Sequence, residues 1–194
     1  MNASANTWLD ERRAEAENRF RALGVPHRRI EDWKYSDLKN AIGTANDDAA
    51  AVWAVETLPE GVELFDLSKR KAPDWVKAHF GTLPQNVMAS ASFAHASTGF
   101  AVRVPRGNAI ADALKFKFSG AGSARALVVI EDGAALTLHE TQAGEGFANT
   151  GVEFVIGANA QLTHIRMAAR SQAVQVEEYA VKIARDGVYR AHLF

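Results

Sequence analysis

The sequence predicts an α+β chain: a mainly helical N-terminal domain over residues 1–96, then the first coils of a right-handed parallel β-helix, a β-solenoid, over residues 97–194. Three observations predict it. Helix punctuation dominates the first half, the pattern turns to short strands and tight turns near residue 97, and the second half repeats itself about every 26 residues.

The helices come first. Thr7 with Asp10 three residues later reads as an N-terminal cap, and Leu9, Ala16, Phe20 and Leu23 recur on one face of the helix that follows. Gly24 and Pro26 stop it, the glycine by its ease in the left-handed conformation that ends helices, the proline by lacking an amide hydrogen. Ser36 or Asp37 caps a short second helix through Leu38, Ala41 and Ile42, closed by Gly43. Residues 49–55 fit either a helical turn or the start of a strand, and periodicity does not choose between them. Pro73 suits a first helical turn, with Trp75, Val76, His79 and Phe80 as its apolar face and Gly81 as its end. A last helical stretch is expected from about Pro84 to Ala94.

Beyond residue 97, a strand at 100–104 leads into a turn at 105–107, and residues 114–118 (Leu-Lys-Phe-Lys-Phe) alternate with period two. Three later segments superpose: ALVVIEDGAALTLHE, VEFVIGANAQLTHIR and YAVKIARDGVYRAHL. They align Ile130, Ile156 and Ile183, each followed six residues later by Leu136, Leu162 or Tyr189. Between these apolar positions lie turns at Asp132-Gly133, Ala158-Asn159 and Asp186-Gly187, the third displaced by one residue. A single unit cannot bury the inward face of its strands; stacking coils about 4.8 Å apart pairs their backbones and makes a continuous core. An antiparallel sandwich has similar strand-turn spacing and is the competing architecture.

Composition removes several classes of function. With 22 basic against 23 acidic side chains the net charge is -1, and the basic clusters Arg28-Arg29 and Lys69-Arg70-Lys71 are short and followed by acidic residues. No nucleic-acid partner is expected from such a balance. There is no 18-residue apolar run for a membrane span and no signal-peptide core, so the reading is cytoplasmic with no membrane contact. The chain has no cysteine, which excludes disulfides, thiolate metal ligands and thiol nucleophiles.

The six histidines form no His-x-His or His-Glu-x-x-His pair. In the repeat alignment His139 and His192 hold equivalent positions two coils apart, with Ile165 between them. That separation of about 9–10 Å is too great for two ligands of one metal ion. His164 aligns with Leu138 and Ala191 on the inward face and reads as a hydrogen-bonded core histidine. His139 and Glu140 are successive strand residues pointing to opposite faces, so neither they nor Glu145 compose an acid-base set. Gly120-Ala-Gly122 and Gly144-Glu-Gly146 lack the strand-to-helix context of a phosphate loop and read as turns; His27 reads as a loop residue. No catalytic, cofactor-binding or metal-binding residue is assigned, and no enzyme activity is expected. In the run RRIEDWKYSDL, Ile30, Trp33, Leu38 and Ile42 are expected to share one apolar surface, with Glu31, Asp32 and Lys34 in solvent. The expected role is a packing seam between the first two helices, and a partner-binding patch is the alternative.

The order Gly24-Val-Pro26, Arg28-Arg29, Glu-Asp-Trp-Lys-Tyr-Ser at 31–36 and Leu38, followed by Gly-Phe-Ala-Val-Arg-Val-Pro-Arg-Gly at 99–107, resembles the SufB/SufD family of the SUF iron-sulfur cluster assembly system, on its SufD side. The resemblance extends over essentially the whole chain. It implies a helical domain leading into a right-handed parallel β-helix, with SufB and the ATPase SufC as partners in a scaffold. On that scaffold a cluster is assembled transiently, with no cofactor resident in this chain. In the family the solenoid continues to a helical region that contacts SufC, and the functional histidine lies in that later part. No site residue therefore carries over, His192 included, and the chain is expected to be a fragment. Its open β-helix edge would then offer a place for a second copy to pair as a homodimer. The alternative is a β-solenoid carbohydrate-active enzyme, or a carbohydrate-binding or structural module. Hexapeptide-repeat acyltransferases need an apolar residue every six positions, and the period near 26 argues against them.

Overall fold

The computed structural model describes residues 7–43, 50–69, 71–83 and 85–194, without the side chains of Thr7 and Asp32. Helix α1 (Thr7–Leu23) ends where Gly24 turns left-handed at φ 69°. It buries Leu9 and Ala16 but leaves Leu23 67% exposed, so the predicted stripe is covered only over its first part. The expected Thr7 cap lies outside the described side chains. A 3-10 turn (Glu31–Trp33) precedes α2 (Leu38–Ile42), whose cap is Asp37, accepting the amide of Asn40. Pro73 precedes α3 (Asp74–His79), and Asn86 caps α4 (Val87–His95) by accepting the amide of Ala89 at 2.9 Å. Pro84, the expected start of that helix, lies outside the described residues. Gly81 after α3 has φ 76°, and a Cβ there would stand 2.4 Å from the Phe93 ring, so both its conformation and its surroundings require glycine.

The described residues form eight strands, numbered in chain order: β1 (Val52–Thr57), β2 (Glu63–Asp66), β3 (Thr98–Val104), β4 (Leu114–Ser119), β5 (Gly122–Ile130), β6 (Ala135–Ile156), β7 (Gln161–Ile183) and β8 (Val188–Leu193), with β1 and β2 lying between α2 and α3. The ambiguous stretch 49–55 thus becomes a strand from Val52, with residues 44–49 outside the described set. Residues 1–96 are therefore not helical throughout. β1 and β2 join the sheet antiparallel to β4 and β3, while the later strands pair in parallel: β3 with β5, β4 and β5 with β6, β6 with β7, and β7 with β8.

The parallel registers make a β-helix of about four coils and exclude the sandwich. β6 and β7 each turn a corner midway, so that 135–144 and 161–170 stack with β4 and β8, while 146–156 and 173–183 stack with β3 and β5. Ile130 lies beside Ile156 and Ile156 beside Ile183; Leu136, Leu162 and Tyr189 do the same across the next turn. Gly107, Gly133, Asn159 and Asp186 share the left-handed conformation that turns one side of each coil into the next. The last turn looked one residue late because its glycine is Gly187, yet Asp186 takes the strained position three residues past the aligned isoleucine. The extra residue of the fourth coil sits at the opposite corner, where Ser171 and Gln172 stand against the single Glu145.

Two cores result. Inside the coils, Trp53 packs edge-on against Phe100, Phe116 and Phe118 with ring centres 4.8 to 5.6 Å apart, followed by columns of valine, leucine and isoleucine. Outside, Leu9, Ala16, Val76, Phe80 and Phe93 cover Ala101, Leu127 and Val129, so helices clothe one side of the β-helix. The run Ala-Leu-Val-Val-Ile in β5 is apolar without alternation because it is buried from both sides.

The apolar surface expected of Ile30, Trp33, Leu38 and Ile42 is corrected at Ile30. Tyr35 is 94% exposed and Ile30 36% exposed, whereas Leu38 is buried. The backbone turn from Trp33 O to Ser36 N closes the 3-10 segment and leaves Tyr35 beyond it, facing solvent with the Lys34 ammonium 5.7 Å from its ring.

Candidate functional site

Strand alternation carries a set of polar side chains into the coil interior. Glu140 and Gln142 come from the second coil, His164 from the third, and Tyr179 and Tyr189 from the fourth. Glu140 and His164 are fully buried, with His164 Nε2 3.0 Å from a Glu140 oxygen and Nδ1 3.0 Å from the Tyr189 hydroxyl. The tautomer that fits donates from Nε2 and accepts at Nδ1. Tyr179 donates to the other Glu140 oxygen at 3.1 Å, and Gln142 donates to it as well. Burial, then the Glu140 charge, pushes both phenols up, Tyr189 to about 12 and Tyr179 further. Next to this set, Arg166 pairs with Glu177, whose carboxyl is raised by burial.

A second cluster lies between the coils and the helices. Arg125 projects outward from β5 and spans two coils, reaching Glu153 at 3.3 Å and Glu178 at 3.5 Å. It passes over Gly151, where a Cβ would stand 1.8 Å from the guanidinium. Glu153 accepts the Gly81 amide through both oxygens, at 2.9 and 3.0 Å, and Glu178 accepts that of Asn86. Burial raises the Glu153 carboxyl despite the opposing pull of Arg125. The connection from α3 to α4 is thus fastened to the coils by two carboxylates and one guanidinium.

The residues singled out in the sequence fall as their register requires. His139, Ile165 and His192 form one outward column, and His164 turns inward beside Leu138 and Ala191. Glu140 faces inward while His139 faces out, so the pair does not converge. Gly120, Gly122, Gly144 and Gly146 all have positive φ at coil corners, and a Cβ on Gly144 would stand 2.8 Å from the Gly120 nitrogen. His27 accepts the Arg29 amide within its loop. Among the described residues, no group of three or more His, Asp or Glu is placed to hold a metal ion, and no helix is long and apolar enough to cross a membrane.

Sequence reading missed Arg125, Glu153 and Glu178, although a signal was present. Each is a charge inside or beside an apolar strand run, and Arg125, Gly151 and Glu178 share one register column. Gln142, Tyr179 and Tyr189 carried no such mark.

Residues 116–194 match the family model described as SUF system FeS cluster assembly, SufBD core domain. The match supports the SufB/SufD family and covers the coils from within β4 onward. No curated protein matches the chain significantly.

Proposed function

We propose that this chain is a scaffold subunit of SUF iron-sulfur cluster assembly, of the SufD type, acting in the cytoplasm without catalysis of its own and pairing with SufB and the ATPase SufC. The observation that supports it is the coincidence of the SufBD core match with the coils from β4 to β8. The signature at 24–38 and the segment 99–107 lie outside that match and resemble the same family. In this reading the β-helix is a rigid support, since every coil is hydrogen-bonded to its neighbours, and the cluster is cargo of the whole assembly. SufC would supply nucleotide-driven movement, and this chain would transmit it as a stiff body.

The test is reconstitution. The chain, co-expressed with the SufB and SufC homologues of its own source, is expected to elute with them as one species whose mass by light scattering accounts for all three. A folded chain, verified by circular dichroism, that elutes apart from both would defeat the reading.

A further inference from the structure

The two sides of the β-helix differ in what covers them. Helices clothe the side formed by β3, β5, 146–156 and 173–183, whereas no described side chain of β1, β4, 135–144, 161–170 or β8 belongs to the core those helices make. Those side chains are legible by alternation. Phe116, Leu138 and Leu162 are buried inward, and Lys115, Lys117, Thr137, His139, Thr163 and Ile165 between them are exposed or half-exposed outward.

This open side has a charge unlike the rest of the chain. The chain carries a net charge of -1, yet Lys115, Lys117 and Arg190 face outward here together with His139 and His192. Its strand segments hold only two carboxylates, Glu140 turned into the interior and Glu56 at the edge on β1. Neither lysine has an ion-pair partner among the described residues, so both charges stand available. Ile165 and Met167, the latter 57% exposed, put apolar surface beside them. An apolar centre with a charged and hydroxyl-bearing surround is the anatomy of a protein interface.

We propose that this open side is a docking surface for an acidic face of a partner protein in the assembly. The proposal rests on the scaffold reading above. Charge decides the class of occupant: a second copy would set these cations against themselves, whereas an acidic surface neutralises them and is steered toward them. Five strands spaced about 4.8 Å apart give a plane of roughly 20 Å on a side, which is part of a standard interface rather than the whole of one.

The experiment uses the reconstituted assembly with a zero-length carbodiimide cross-linker, mapped by mass spectrometry. Cross-links from Lys115 or Lys117 to aspartate or glutamate of a partner subunit are expected. The double variant Lys115→Glu/Lys117→Glu should weaken the complex by about tenfold or more, with a smaller salt dependence, while Lys115→Arg/Lys117→Arg binds as the parent does. An assembly that forms normally with the charge-reversed chain, or cross-links only elsewhere or only between two copies, overturns the docking surface and leaves the scaffold reading intact. Binding of a single-stranded RNA oligonucleotide through the same lysines, with no partner cross-link, overturns it too. If no assembly forms, the scaffold reading fails and the surface falls with it.

Discussion

The first coil and the later coils share one backbone geometry and fill it in opposite ways. Following one register column, Phe116 gives way to Glu140 and then Arg166; in the next, Phe118 gives way to Gln142; in a third, Leu114 and Leu138 give way to His164. The early interior is aromatic and aliphatic, sealed at its edge by β1 and β2. The later interior is a hydrogen-bonded set whose members come from different coils. Stacking therefore tolerates either filling, but the two fail differently: apolar packing loses area and gains a cavity, whereas a polar set loses partners and strands buried charge.

The largest effect is expected where packing alone holds the coil. Phe116 is fully buried against Trp53 and Phe100, and Phe116→Ala should cost about 3–5 kcal/mol in urea unfolding, as deletion of a core aromatic does. A cost below about 1 kcal/mol would erase the contrast between the two interiors. A smaller loss, about 1–3 kcal/mol, is expected of Gly151→Ala, whose methyl must displace the Arg125 guanidinium from between its two glutamates. The same variant should speed hydrogen exchange at the Gly81 and Asn86 amides, because those amides donate to Glu153 and Glu178. Unchanged exchange there would show that the helical layer is held by its apolar contacts and not by this cluster.

How much of this was open to sequence reading follows from the range of the interaction concerned. The coil register was legible because the isoleucine and leucine columns recur at fixed spacing, and the inward turn of His164 and the outward turn of His139 follow from alternation alone. β1 and β2 were not, since an antiparallel edge strand is defined by a partner distant in the chain and Ala49 to Val55 has no period of its own. Ile30 was misjudged because apolar spacing does not register the three-residue 3-10 turn at Glu31–Trp33 that leaves it at the surface. The Arg125 cluster bridges coil to helix, a contact that no local pattern encodes. The open cationic side needed both the register and the knowledge of which side the helices cover.

The smallest expected effect bears most directly on the polar interior. Tyr189→Phe keeps the ring beside Phe154 and removes the hydroxyl that reaches His164 Nδ1, so it should cost about 0.5–1.5 kcal/mol at neutral pH. The pH dependence separates this from lost packing. In the folded chain the Tyr189 phenol is raised from 10.0 to about 12, chiefly by burial and then by Glu140. The folded state keeps the proton where the unfolded chain gives it up. The stabilisation is whole below the ordinary phenol value and is lost as pH rises through about 12. The stability gap between parent and Tyr189→Phe should therefore narrow between those two values, with the parent's added phenolate absorbance appearing over the same interval. A gap that stays constant through it would mean that the hydroxyl ionises as freely folded as unfolded, and that the later coils are held, like the first, by packing.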